Sequence, residues 1–143
     1  MPNIYKSALV PYSANKMYTL VNDVDAYQTF LPGCRQSSVI SQSDHHMEAK
    51  MVLVKAGIEL VLVTRNTLKL DRSIHMNLSQ GALKSLTGGW TFTPLSDDAC
   101  KIELSLDFSF SHQLVGIAFG NVFKSVTNNM VKAFTDRAKE VYK

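Results

Sequence analysis

"CKIELSLDFSFSHQLVGIAFGNVF", residues 100–123, joins two different periodicities. From Cys100 to Phe110 apolar and polar residues alternate: Cys100, Ile102, Leu104, Leu106, Phe108 and Phe110 are apolar, while Lys101, Glu103, Ser105, Asp107 and Ser109 are polar. Successive strand side chains point to opposite faces, so this is a strand with one wet and one buried face, the pattern of an antiparallel sheet. Beyond Ser111 the period lengthens. Val115, Phe119, Val122, Val126, Met130, Ala133 or Phe134, Ala138 and Val141 recur every three or four residues, which predicts an amphipathic helix. Ser111 suits the N-cap, and from there to Tyr142 the helix would be roughly 45 Å long. Its first turns also carry Leu114, Ile117, Ala118 and Phe123, more apolar groups than one core-facing stripe requires.

Upstream, residues 3–10 read as a first strand. Ser13 can cap a helix over "ANKMYTLVNDV" (14–24). "DAYQTFLPG" (25–33) gives a second short helix, capped by Asp25 and ended by Pro32 and Gly33. Strand signals then resume at 34–42, 46–57, 58–70, 73–81 and 88–95, separated by Asp, Gly, Ser or Asn. No repeat or linker composition divides the chain. The expectation is one α+β domain over residues 1–143: a curved antiparallel sheet around a long C-terminal helix, with two short helices after the first strand. A chain of 143 residues buries about 70% of its unfolded surface and folds without staples.

A strongly curved sheet does not touch a straight helix along its whole length. If the remaining gap is lined by Leu, Val, Phe and Met, it favours an apolar ligand over water. "MVLVKAGIELVLV" (51–63) fits, since Ile58, Leu60 and Leu62 alternate with Val61 and Val63 and both faces are apolar. A filled core with ordinary exposed valines is the competing reading. Gly116 and Gly120 form a Gly-x-x-x-Gly that either lets the helix approach the sheet or leaves room for ligand.

Three stretches carry a family resemblance: "VPYSANKMYTLVNDVDAYQTFLPGC" (10–34), "GGWTFTPL" (88–95) and "NMVKAFTDRAKEVY" (129–142). Their markers are Tyr18-x-Leu20-Val21-x-Asp23-Val24, then Tyr27, Phe30-Leu31-Pro32 and Cys34. They resemble the START-like coenzyme Q-binding family over essentially the whole chain, and within it the bacterial branch of ribosome association toxins. The resemblance implies a helix-grip fold and a cavity between sheet and C-terminal helix. It implies ubiquinone or a related isoprenoid, polyketide or lipid as bound ligand, with no cofactor required, in support of quinone function in respiration. For the toxin branch it implies binding to the large ribosomal subunit that blocks subunit joining. Candidate cavity residues are Phe30, Leu53, Leu60, Leu62, Trp90, Leu104, Leu106, Phe108, Val115, Gly116, Phe119, Gly120 and Phe123. Where relatives read Asp-Gly-Pro-Phe, this chain has Gln80-Gly81-Ala82-Leu83. A rigid proline and an aromatic are lost, so a gating role and a ring-stacking contact for that loop are not carried over.

Signals for catalysis are few. His45 and His46 fall in a turn without metal-ligand spacing, and no metal site is expected. Asp23 and Asp25 read as local helix-end groups, and Cys34 follows a helix end, the wrong terminus for activating a thiol. Cys34 and Cys100 form neither a disulfide framework nor a zinc cluster. No G-x-S-x-G, P-loop or G-x-G-x-x-G occurs. A polyketide cyclase would need an acid/base pair in the cavity, whereas the alternating strands send their ionisable residues outward.

The formal charge of +3 and pI near 8.9 permit an anionic partner. Lys124, Lys132, Lys139 and Lys143 share one side of the helical wheel, either a solvated face or a stripe that contacts rRNA phosphates; Asp136 stands beside them. DNA is not an expected partner. With no charged-then-apolar leader and no long apolar run, the chain reads as soluble and cytoplasmic, with at most transient membrane contact. Three functions stand: hydrophobic-ligand carrier first, large-subunit ligand second, cyclase third.

Overall fold

The structure is a computed structural model that describes residues 3–55, 57–81, 83–110 and 113–142, apart from the side chains of 110 and 113–119. Strand β1 (Asn3–Val10) leads into α1 (Ala14–Asn22), a single 3-10 turn (Val24–Ala26) and α2 (Tyr27–Phe30). Six strands follow: β2 (Cys34–Gln42), β3 (His46–Lys55), β4 (Ile58–Lys69), β5 (Ser73–Gly81), β6 (Leu83–Ser96) and β7 (Ala99–Phe110). The long α3 (Gln113–Val141) ends the chain. All seven strands form one antiparallel sheet in the order β1-β7-β6-β5-β4-β3-β2. The sheet curls around α3, and the α1–α2 segment connects its two edge strands.

The alternation in β7 is realised from Cys100 to Ser109, and the side chain of Phe110 lies outside the described residues. Cys100, Ile102, Leu104, Leu106 and Phe108 are each at most 2% exposed. On α3 the buried stripe is Val122, Phe123, Val126, Met130, Phe134 and Ala138. Of the two residues that compete for one turn of that stripe, Phe134 is the core group and Ala133 only half-buried, while Val141 is exposed. The expected Ser111 cap lies outside the described residues.

Ser13 caps α1 as its sequence predicts, accepting from the Lys16 amide. Asp25 does not cap α2. Its carboxylate accepts from the Val39 amide at 2.9 Å and ties the helical corner to edge strand β2. Buried Ser37 completes this seam: its hydroxyl accepts from the Gln28 amide. The tryptophan strand is longer than predicted, beginning at Leu83, so all of residues 83–87 belong to β6 as well.

In the 51–63 segment, Leu53, Leu60 and Leu62 are buried in the main core. Val52 and Val63, on the opposite face, are also buried but outside that core, and Val61, paired with Val52, is 38% exposed. The outer valines therefore form a small satellite patch on the face of the sheet away from the main core.

Candidate functional site

The interior between sheet and helix has two halves of different character. Near α1 and α2 it is packed with aromatic rings. Phe134, fully buried, meets Tyr27, Phe30 and Trp90 edge-on at centroid distances of 5.1, 5.3 and 5.3 Å. Trp90 stacks on Phe92, which in turn meets Tyr18 edge-on. These tilted and offset arrangements are the favoured geometries of aromatic pairs. The half-buried Phe30 lies at the rim, its ring 5.1 Å from the Arg137 guanidinium carbon.

The other half contains a cavity of about 40 Å³ under the middle of α3. Its described wall is Met51, Leu53, Leu62, Thr64, Met76, Leu86, Leu106, Phe123, Val126, Thr127 and Met130. Four of the sequence candidates meet there: Leu53, Leu62, Leu106 and Phe123. Leu60, Leu104 and Phe108 are buried core groups that do not appear in the described wall, and Phe30 and Trp90 belong to the aromatic half. Gly120 is buried; the surroundings of Val115, Gly116 and Phe119 lie outside the described residues.

The wall residues missed from sequence are mainly methionines and threonines. Met51, Thr64 and Met76 sit at inward positions of β3, β4 and β5, so strand alternation extended across the register would have found them. Thr127 hides its polarity by donating its hydroxyl proton to the Phe123 carbonyl within the helix at 2.7 Å. No ionisable side chain occurs in the described wall.

About 40 Å³ accommodates a few waters or one small group and no ring-bearing ligand. A larger guest requires the wall to move. Methionine is suited to this, being unbranched and polarisable, and three of the described wall residues are methionines. A larger depression of about 560 Å³ lies on the outer face of the sheet, over Gly88 and Gly89 and beside Thr67, His75, Thr91 and Ser105. It exists because the glycines raise no side chain there, and it is open to water. The space under α3, with its apolar described wall, is the better candidate for an apolar guest.

Among the described residues no three His, Cys, Asp or Glu gather in metal-binding fashion. Burial pushes the thiols of Cys34 and Cys100 up, away from thiolate chemistry, with hydrogen bonding to Ser37 and Gln36 partly opposing the shift at Cys34. No described helix is long and apolar enough to cross a membrane. Lys124, Lys132 and Lys139 are exposed on the outer side of α3. Lys132 is paired with Asp136 at 2.7 Å, and that hydrogen bond is the chief cause holding the Asp136 carboxyl below its usual range, with Lys139 adding to it.

The fold and the sequence both have relatives. A START superfamily protein from Mycobacterium smegmatis superposes with a TM-score of 0.81 at 17% identity, covering 97% of this chain and 98% of that one. The ribosome association toxin RatA of Escherichia coli K12 is 54% identical over 99% of this chain and 90% of its own length. The mitochondrial coenzyme Q-binding protein coq10 of Schizosaccharomyces pombe is 22% identical over 96% of this chain and 87% of its own. Residues 10–135 match the model of the polyketide cyclase/dehydrase and lipid transport family, and the chain belongs to that family.

Proposed function

We propose that this protein works by binding, as a ribosome-associating factor that engages the large subunit from the cytoplasm. The observation that carries this reading is near-full-length similarity, 54% over 99% of the chain, to a protein named for ribosome association. It outranks the carrier reading because the relative named for coenzyme Q is only 22% identical. The exposed lysines of α3 are the candidate rRNA contacts. Cosedimentation with purified large subunits tests the reading: binding is expected to weaken with salt and on charge reversal at Lys124, Lys132 and Lys139. Absence of wild-type cosedimentation at low salt would reject it.

A second reading is supported by the cavity. Its described wall is apolar apart from two threonines, and the coq10 relative is named for coenzyme Q. The protein binds an isoprenoid quinone or comparable lipid between sheet and helix, without a catalytic group in the described wall. Native mass spectrometry of gently purified protein, followed by lipid extraction, checks this; a bare chain that takes up no added quinone counts against it.

A further inference from the structure

Val126 has two exposures. Inward it forms part of the cavity wall; outward it forms the back of a surface recess of about 220 Å³ bounded by Pro32, Gly33, Lys55, Ser125 and Asn129. Val126 is thus the residue common to the apolar interior and the polar rim.

The geometry of the rim is specific. Gly33 has φ +84°, and a Cβ built on it would lie 2.6 Å from Val126 Cγ2, so the turn after α2 rests directly on the valine. The Gly33 carbonyl accepts from the Val54 amide at 2.8 Å, which fixes the turn to the end of β3. Beside it Lys55 Nζ donates to Ser125 Oγ at 2.6 Å, and Asn129 Nδ2 donates to the Ser125 carbonyl at 2.7 Å. The neighbouring Arg35 is neutralised by Glu59 at 2.7 Å, whereas among the described ion pairs Lys55 has no carboxylate partner. An ammonium group that lines the recess beside Val126 and is hydrogen-bonded to one hydroxyl retains two donors for an anion.

We propose that the recess and the cavity behind it form one site for a single-chain amphiphile with a carboxylate head, of fatty-acid type. The carboxylate accepts from Lys55 Nζ and the Ser125 hydroxyl. The chain passes Val126, where that side chain and the Gly33 turn resting on it both give way, and lies among Met51, Met76 and Met130. The proposal rests on the apolar-ligand reading and adds the port and the head-group chemistry.

Titration calorimetry below the critical micelle concentration, with dodecanoate, dodecanol and dodecyltrimethylammonium, tests it. Dodecanoate is expected to bind about tenfold or more tighter than the ammonium surfactant. Lys55→Gln lowers dodecanoate affinity by about tenfold and leaves dodecanol within about twofold, since only the charge-assisted bond is lost. Asn129→Lys, at an exposed position beside the head site, strengthens dodecanoate binding. If Lys55→Gln weakens both ligands equally, or dodecanol binds while dodecanoate does not, the head-group assignment falls and the apolar-ligand reading survives. If none of the three binds to the wild-type chain, both fall.

Discussion

Gly89 of β6 passes so close to Ile74 of β5 that a Cβ built on the glycine would stand 2.0 Å from the Ile74 carbonyl oxygen. Its neighbour Gly88 is equally tight against the other adjacent strand, with a Cβ 2.1 Å from the Ser105 carbonyl oxygen. Their φ values of +151° and +130° are ones that other residues rarely adopt. Just beyond this close approach β6 carries Trp90 against Phe134 of α3 and Phe92 against Tyr18 of α1.

Gly89→Ala is therefore expected to destabilise the fold by about 3 kcal/mol or more, combining backbone strain with overpacking. Gly57→Ala supplies the contrast. Gly57 also has positive φ, +79°, but nothing lies within 4 Å of an added Cβ, so only the conformational cost of about 1 to 2 kcal/mol applies. Urea unfolding of both variants measures the difference; equal losses would mean that strand approach is not the reason for glycine at 89.

Phe134 ties α3 to α2 and β6 through three ring contacts and is fully buried. Phe134→Ala should cost about 3 to 5 kcal/mol. It should also change the emission of Trp90, whose ring loses an edge-on neighbour 5.3 Å away. A variant of unchanged stability would place the helix anchor elsewhere, in the methionine-lined half.

The fold was legible because its signals are long and single-valued. Period two across 100–110, the Ser13 cap and the Pro32-Gly33 stop each admit one local structure, and the elements occur where they say. Asp25 was misread for a physical reason: a carboxylate near a helix start looks like a cap, and only the tertiary approach of β2 reveals the Val39 amide as its partner. The site was half legible. Alternation identifies Leu106 as inward-facing but leaves Leu53 and Leu62, in a segment apolar on both faces, undecided, and inward-facing does not distinguish a cavity wall from filled core. That distinction depends on how Phe134 and Trp90 fill one end while Met51, Met76 and Met130 leave space at the other.

Tyr27 gives the protein an alkaline limit. Its hydroxyl donates to the Val21 carbonyl in a fully buried setting, and its pKa is raised above the usual value, chiefly by desolvation and secondarily by Cys34 and Asp23. Below pH 10 both folded and unfolded chains keep this proton and the hydrogen bond is fully available. Above about pH 10 the unfolded chain ionises while the folded one does not, so stability declines by about 1.4 kcal/mol per pH unit from this group. Tyr27→Phe should lose about 1 to 3 kcal/mol at neutral pH by orphaning the Val21 carbonyl. It should also flatten the decline above pH 10. Chemical denaturation at pH 7, 9, 10 and 10.5 compares the slopes, and identical alkaline slopes in both proteins would refute the assignment.

Asp136 decides how much of the lysine stripe is available to a polyanion. It binds Lys132 at 2.7 Å and feels Lys139, so the carboxylate offsets part of the positive charge on this face of α3. If the stripe meets rRNA phosphates, Asp136→Asn frees Lys132 for an additional contact. Large-subunit affinity should then rise at low salt, and the slope of log affinity against log salt should steepen by about 1. Lys124→Glu should act in the opposite direction. Folding should be little changed in either variant, because the positions are exposed and the ion pair is screened by water. Asp136→Asn is the sharper of the two tests, since it predicts a gain that simple damage to the protein would not produce. Cosedimentation across a salt series measures both, and a slope unchanged in Asp136→Asn together with unweakened binding in Lys124→Glu would move the ribosome contact off this face of the helix.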